Sequence, residues 1–434
     1  MKKDHMLFMI FLILTFIAPK VPANLIIDAP ERSTISLGFI GLAAWVVFSP
    51  GTSIIGLRRL SNSYGLLLVL FAAYGFFVSF LSIKLISIAY SLQYLSYTMV
   101  GLIVLRGYFI RCIKLKEVKV AFKIITLVGI IFSLGIIVSI INGPLYPHQV
   151  QWTAKIIDGV RVERGVGFAE NVNGAAATML FFVPFVIFLN TYQDKIRRGM
   201  LLVFLSGIAL LCTLSRSAFF SLVVSLLVVG YFLWLRIMIK RLVSREKARF
   251  AVSFILISVI LIIVFFSVFF VLVENNYKEV LLSLFGIGNN KFIANDVFDR
   301  FSIWANGIKQ IAKHNDQMIL FGQGFRSSQT INEYGVWNSP HNVYIAFLGD
   351  FGVLGLLLFL ACLVGSMISA FCNIIISKNA VVGYFFLVSL MSLSIHNLSE
   401  AFFYSPLVVI LLLIMLNIFE FRDQISSQIL TDAG

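Results

Sequence analysis

Long apolar runs separated by short polar turns make up most of the chain. The runs fall at 6–27, 35–50, 64–82, 85–105, 124–141, 174–190, 199–214, 217–235, 250–273, 342–372, 380–396 and 401–420. Each approaches the ~20 residues that a helix needs to cross hydrocarbon. The pattern predicts an all-α polytopic membrane protein of about twelve transmembrane helices, a single integral membrane domain over 1–434. Two polar stretches are too long to be simple connections, 142–173 and 274–341. In the second, Val297, Phe298, Phe301, Ile303, Trp304, Ile308 and Ile311 recur at helical spacing. That predicts an amphipathic helix over 296–312 lying on the membrane surface.

Composition agrees with the pattern. Only 12% of residues are charged and 59% are hydrophobic, whereas a soluble domain carries about 25% charged residues. The formal charge of +14 raises nucleic acid as a partner, and the placement of the basic residues answers it. With the N-terminus in the cytoplasm and sides alternating, 21 of the 34 Lys and Arg fall in short inner loops. Arg106, Arg111, Lys114, Lys116, Lys119 and Lys123 crowd one of them. This is the positive-inside bias, with membrane lipid as the partner, no nucleic acid, and both termini cytoplasmic.

Lys2, Lys3 and the run from Met6 to Ile17 resemble a signal peptide. Ala18-Pro-Lys-Val-Pro-Ala23 lacks a small-x-small cleavage pattern, so an uncleaved first membrane helix is expected. Cys112, Cys212, Cys362 and Cys372 all lie in or beside apolar runs, which predicts buried or lipid-facing fillers without a disulfide framework.

The candidate chemistry lies on the outer side. Asn338-Ser-Pro-His341-Asn342 opens the run to Leu360, with Ser339 as a cap and Pro340 in the first turn. His341 and Asn342 thus stand at the mouth of a membrane helix. Arg164 precedes another span, Arg216 sits in the tight turn Thr213-Leu-Ser-Arg-Ser217, and Arg300 lies in the large loop near Trp304. Arginine at the hydrocarbon boundary is costly without a partner. Guanidinium forks match phosphate at two points, so several on one face suggest a diphosphate ligand. Each residue also has a plainer reading. Arg164 can anchor a helix end, Arg300 can pair with Asp299 or Asp296, and His341 can cap or reach for the interface. His396 and Glu400 can pair with each other. Asp350, about two turns into its helix, is expected to meet an arginine or a backbone donor in a structural role.

No phosphate-binding loop, dinucleotide fingerprint, metal-ligand spacing or paired aspartates for a magnesium–nucleotide occur. No metal and no cofactor are therefore expected, and the chemistry has to be driven by an already activated substrate.

The ordered series Arg164-Gly-Val-Gly-Phe168, Asn171-Val-Asn-Gly174, Thr213-Leu-Ser-Arg216, Arg300-Phe-Ser-Ile-Trp304 with Gly322-Gln-Gly324, and Pro340-His-Asn-Val-Tyr344 with Gly352-Val-Leu-Gly355 resembles the O-antigen ligase and polymerase superfamily of bacterial envelopes. The resemblance implies a metal-independent glycosyltransferase with a GT-C-like fold, in the bacterial inner membrane with its active site facing the periplasm. It implies an undecaprenyl-diphosphate-linked glycan as donor. The acceptor would be lipid A–core for a ligase, or a second lipid-linked glycan for a polymerase. It further implies catalytic roles for His341, Arg216 and Arg300, with Arg164 assisting, and it leaves Asn342, Trp304, Glu400 and His396 as substrate-binding candidates. Where many relatives carry Glu, this chain has Asp350. Ligase is favoured over an O-antigen or exopolysaccharide polymerase by the moderate length and single large loop. A polysaccharide transporter or flippase would be expected to show two similar halves and mid-span charges, and a structural scaffold would leave His341 and Arg216 without a role.

Overall fold

A computed structural model describes residues 2–18, 21–22, 34–35, 37–60, 64–82, 85–146, 154–157, 160–169, 171–192, 196–240, 303–327, 330–331, 337–338, 341–376 and 380–430. Helices dominate: α1 (Lys2–Phe16), α2 (Gly38–Phe48), α3 (Pro50–Arg58), α4 (Tyr64–Leu81), α5 (Leu85–Lys114), α6 (Val118–Asn142), α7 (Val172–Tyr192), α8 (Ile196–Cys212) and α9 (Arg216–Lys240). They continue as α10 (303–311), α11 (Asp316–Phe321), α12 (Val343–Ile376), α13 (Val381–His396), α14 (Pro406–Glu420) and α15 (Arg422–Leu430). Among the described residues, strands form three antiparallel pairs: Val21–Pro22 with Thr34–Ile35, Ala154–Ile157 with Val160–Glu163, and Thr330–Ile331 with Trp337–Asn338.

Among the described residues, five helices are long and apolar enough to cross a bilayer, those at Ser87–Lys114, Val118–Asn142, Val172–Asn190, Arg216–Leu233 and Val343–Ile375. The bent pair α2–α3 makes a sixth if it counts as one span, and four shorter apolar helices lie at Gly65–Leu81, Met200–Cys212, Val381–His396 and Leu407–Glu420. Phe77, Phe80, Phe220, Leu227, Leu357 and Ile368 are exposed on these helices, as expected where lipid is the solvent. The chain is therefore a predominantly helical, multi-pass membrane protein.

Three expected runs take a different form. In the run at 6–27 the described residues are helical to Phe16, and Val21–Pro22 form a short strand. The run at 35–50 breaks at Ser49, and Pro50 starts a new helix at 92° to the first, because proline has no N–H to continue the ladder but suits a first turn. The run at 401–420 begins with a 3-10 turn at Phe402–Tyr404 before α14. The run at 250–273, the whole loop from 274 to 302 with Asp296, Asp299 and Arg300, and Ser339 and Pro340 lie outside the described residues. All four cysteines are free thiols.

The chain forms two compact units. The first holds Met1–Val128, Arg300–Ser369 and Asn397–Gln428; the second holds Gly129–Asp299, Ala370–His396 and Ile429–Gly434. In the first unit α1 packs on α2, and α3, α4 and α14 pack on α5. Its core is aromatic: the Phe71 ring of α4 lies 5.0, 5.2 and 5.3 Å from those of Phe347, Phe351 and Phe359 on α12. Arg106 of α5 pairs with Glu420 at the end of α14. In the same region, buried Asp4 accepts from Ser49 Oγ (2.5 Å) and Thr52 Oγ1 (2.9 Å) and pairs with Arg111 (3.1 Å). Tyr90, near the start of α5, is ~24 Å from Arg106 at 1.5 Å per helical residue. The first unit therefore carries polar groups at two levels separated by most of a ~30 Å hydrocarbon core.

Helices α3 and α5 meet backbone to backbone. A Cβ on Gly107 would overlap the Thr52 carbonyl, and one on Gly56 would overlap that of Ile103. Gly107→Ala is expected to cost about 1–3 kcal/mol through overpacking, read as a lower thermal midpoint of the purified protein. Gly51→Ala, where a Cβ meets nothing within 4 Å, should leave the midpoint unchanged.

In the second unit α7 packs on α8 and α13, and α9 packs on α13. Phe181, Phe185 and Phe188 of α7 close on Phe385 of α13 at ring distances of 5.8, 5.6 and 5.3 Å.

Candidate active site

In the second unit, the Arg164-Gly-Val-Gly-Phe168 segment is pinned from two sides. Val166 N–H and Gly167 N–H both donate to Ser139 Oγ (3.0 Å each), whose own hydroxyl donates to Ile136 O (2.8 Å). Gly165 N–H donates to Cys212 O at the end of α8 (2.8 Å). Gly167 has φ +55°, and a Cβ there would stand 2.8 Å from Ile136 N, so only glycine lets this segment lie flat on α6. Tyr146 packs against Phe168 at 6.3 Å, and burial raises its phenol pKa above the ordinary value.

The consequence is the position of Arg164, whose Nε donates to Thr213 O (3.4 Å). Thr213 belongs to the turn that ends α8, where Leu214 takes a left-handed φ of +49° and Thr213 Oγ1 accepts from Ser215 N (3.3 Å). Arg216 is the first residue of α9, so its charge stands beside the unpaired amides and positive end of a helix. Ser217 Oγ is 3.0 Å from Nδ1 of the fully buried His396, and His396 Nε2 is 3.4 Å from Asn173 O. A carbonyl only accepts, so Nε2 carries the proton of the neutral ring and Ser217 donates to Nδ1. Asn171 Oδ1 caps α7 by accepting from Gly174 N (2.8 Å). Arg164, Arg216 and His396 therefore meet at one end of the second unit.

In the first unit, Asn342 caps α12. Its Oδ1 accepts from Tyr344 N (2.9 Å) and Ile345 N (3.2 Å). The cap expected at Ser339 is thus supplied three residues later, and Asn342, expected to bind substrate, commits its side-chain oxygen to the backbone. The next amide, Val343 N–H, donates to Asn397 O (3.0 Å), and Asn397 Oδ1 accepts from Phe402 N (2.8 Å) and Phe403 N (3.1 Å). Asn397 thus holds the 397–404 turn against the start of α12, and this places Glu400 Oε2 3.4 Å from His341 Nδ1. The sequence suggested that Glu400 and His396 pair with each other; in the structure Glu400 faces His341 and His396 faces Ser217. The Glu400 side chain is 11% exposed and that of His341 46%. A carboxylate that holds Nδ1–H leaves Nε2 as the basic nitrogen of a half-exposed imidazole.

Asp350 is a second anchor of the same unit. It is fully buried and accepts from Arg326 N (2.5 Å), Tyr404 Oη (2.5 Å) and Ser327 Oγ (3.1 Å). The expected backbone donor is therefore Arg326 N–H. Gly352 breaks α12 at φ +64°, and the Asp350 carbonyl accepts from Gln323 N (3.0 Å) and Gly324 N (2.8 Å). The Gly322-Gln-Gly324 loop is thereby seated at the kink, with Tyr74 Oη donating to Phe321 O (3.0 Å). Trp304 lies in the first turn of α10, partly exposed. Asn397, Tyr404, Ser139 and Ser217 were not among the expected site residues, and their spacing along the chain carries no signal that would single them out. Among the described residues, no three His, Cys, Asp or Glu side chains gather as a metal site.

Residues 201–360 match the family model described as O-antigen ligase. No curated protein matches the chain.

Proposed function

We propose that this chain, whose residues 201–360 carry an O-antigen ligase domain, is a metal-independent glycosyltransferase of GT-C type with twelve membrane spans. It moves a glycan from undecaprenyl diphosphate to lipid A–core at the periplasmic face of the bacterial inner membrane. The observation that carries the reading is the His341–Glu400 pair at the capped start of α12, 3.4 Å apart, in a chain with a ligase-family domain. Within the same unit, Arg106 and Arg111 mark the other polar level, and the positive-inside rule makes that level cytoplasmic.

The chemistry follows from the residue types. His341 Nε2 takes the proton of the acceptor hydroxyl as its oxygen attacks the anomeric carbon. The bond from that carbon to the diphosphate oxygen breaks on the opposite face, so in-line attack inverts the centre. Undecaprenyl diphosphate leaves with the bonding electron pair, and Arg216 and Arg300 meet the charge that develops on it, assisted by Arg164. A single preorganised donor of this kind is worth about 2.7–4 kcal/mol in a water-poor site. Glu400 orients the imidazole and stabilises the imidazolium, which later loses its proton to water.

Gel analysis of lipopolysaccharide from a deletion strain tests the proposal. Core without attached repeats, restored by the gene on a plasmid, is the expected result. Core with one repeat unit would assign the polymerase reaction instead, and unchanged lipopolysaccharide would overturn both.

A further inference from the structure

Four buried polar atoms come together where the Gly322–Ser327 segment lies on the start of α5. Ser87 Oγ, Tyr90 Oη, Gln93 Nε2 and Arg326 Nε have no hydrogen-bond partner among the described residues. Ser87 is 2% exposed and Tyr90 6%. The four are brought together by packing. A Cβ on Gly324 would lie 2.7 Å from Ser87 Oγ, and the Arg326 guanidinium sits 4.1 Å from the centre of the Tyr90 ring. Gln93 is one turn beyond Tyr90 on the same helix.

Each of these groups can donate, and a buried donor without an acceptor is costly enough to need an explanation. Arg326 is also held unusually firmly. It takes a left-handed φ of +62°, and its N–H donates to Asp350. Strain of this kind persists where surrounding structure imposes it, and it clusters at ligand sites. Among the described residues, the only partner of its guanidinium is the Tyr90 ring. The first turns of α5 add the positive end of a helix dipole. A fixed cation, three further donors and a helix start complement an oxygen-rich anion.

We propose that Ser87, Tyr90, Gln93 and Arg326 of the first unit form a binding site for a phosphate-class anion. Its role in turnover rests on the transferase reading above, because both substrates of such an enzyme carry phosphate on lipid. Asp350 ties this site to the turn that carries Glu400, since it accepts from both Arg326 N and Tyr404 Oη. The substrate phosphate is thereby registered against His341 by a single buried carboxylate.

Pyrophosphate is the probe, titrated calorimetrically into the purified full-length chain carrying Arg216→Ala, which removes one of the arginines assigned to the donor diphosphate. Arg326→Gln in that background is expected to weaken binding by about tenfold or more, the worth of one charge-assisted contact. Tyr90→Phe and Ser87→Ala should weaken it less. Their thermal midpoints should hold or rise, since each removes a buried hydroxyl that nothing satisfies. These two variants carry the test if Arg326→Gln does not fold. Titrations that none of the three changes would overturn the site and assign the donors to ordered water. In turnover assays, a KM raised by Arg326→Gln for the donor alone or for the acceptor alone names which phosphate is bound. Unchanged KM for both overturns a role in the reaction. Pyrophosphate binding that depends on Arg326 in a chain without transfer activity would remove the transferase reading and leave the anion site standing.

Discussion

A strain whose only copy carries His341→Ala is expected to lose long-chain surface polysaccharide while the protein remains in the membrane at its normal level. A general base contributes about 10²–10⁴-fold to a rate, and a loss of that size removes visible banding on a lipopolysaccharide gel. The side chain is 46% exposed, so its removal leaves no cavity, and thermal stability should hardly change. Glu400→Gln should fall between wild type and His341→Ala, because an amide can still orient the ring but cannot balance its charge. Normal banding from stably inserted His341→Ala protein would remove the proposed base, whatever the family.

The second large effect is structural. Asp350→Ala is expected to destabilise the first unit severely, because it strands Arg326 N–H, Tyr404 Oη and Ser327 Oγ together. Each stranded buried donor costs ~1–3 kcal/mol, against a total stability of only ~5–15 kcal/mol for a typical domain. The readout is the thermal midpoint and the yield of monodisperse protein in detergent. Asp350→Asn should retain part of the stability, since its carbonyl still accepts, but its amide would face the same donors. A midpoint unchanged in both variants would show that the Asp350 contacts contribute nothing net.

Much of this architecture could be read from the chain. Apolar runs at 85–105, 124–141, 174–190 and 342–372 became helices because a backbone in lipid has no other way to satisfy its polar groups. His341 was legible as a titratable group at a helix mouth, and Asp350 as a charge too costly to leave without a donor. The partner of His341 was not legible. Glu400 lies four residues from His396, which invites a local pairing, yet it reaches His341 from 59 residues away. Asn397 decides this by docking its carbonyl and its side-chain oxygen at once, a tertiary choice with no local trace. The sharp break between α2 and α3 did leave a trace, since Ser49-Pro50 is a helix-start pair within a run read as continuous. Arg326 left none, because a lone arginine in a polar loop resembles a solvated one until its ring partner is known.

The pairing of Arg106 with Glu420 also has a consequence for biosynthesis. The two residues are 314 positions apart, so α5 enters the bilayer long before α14 has been translated. In that interval Arg106 has no Glu420 beside it, and its long side chain has to reach the polar membrane face for a partner. The contact between the ends of α5 and α14 therefore stays open until α14 has been made. The pairing is closed by the arrival of α14, not by the insertion of α5 itself.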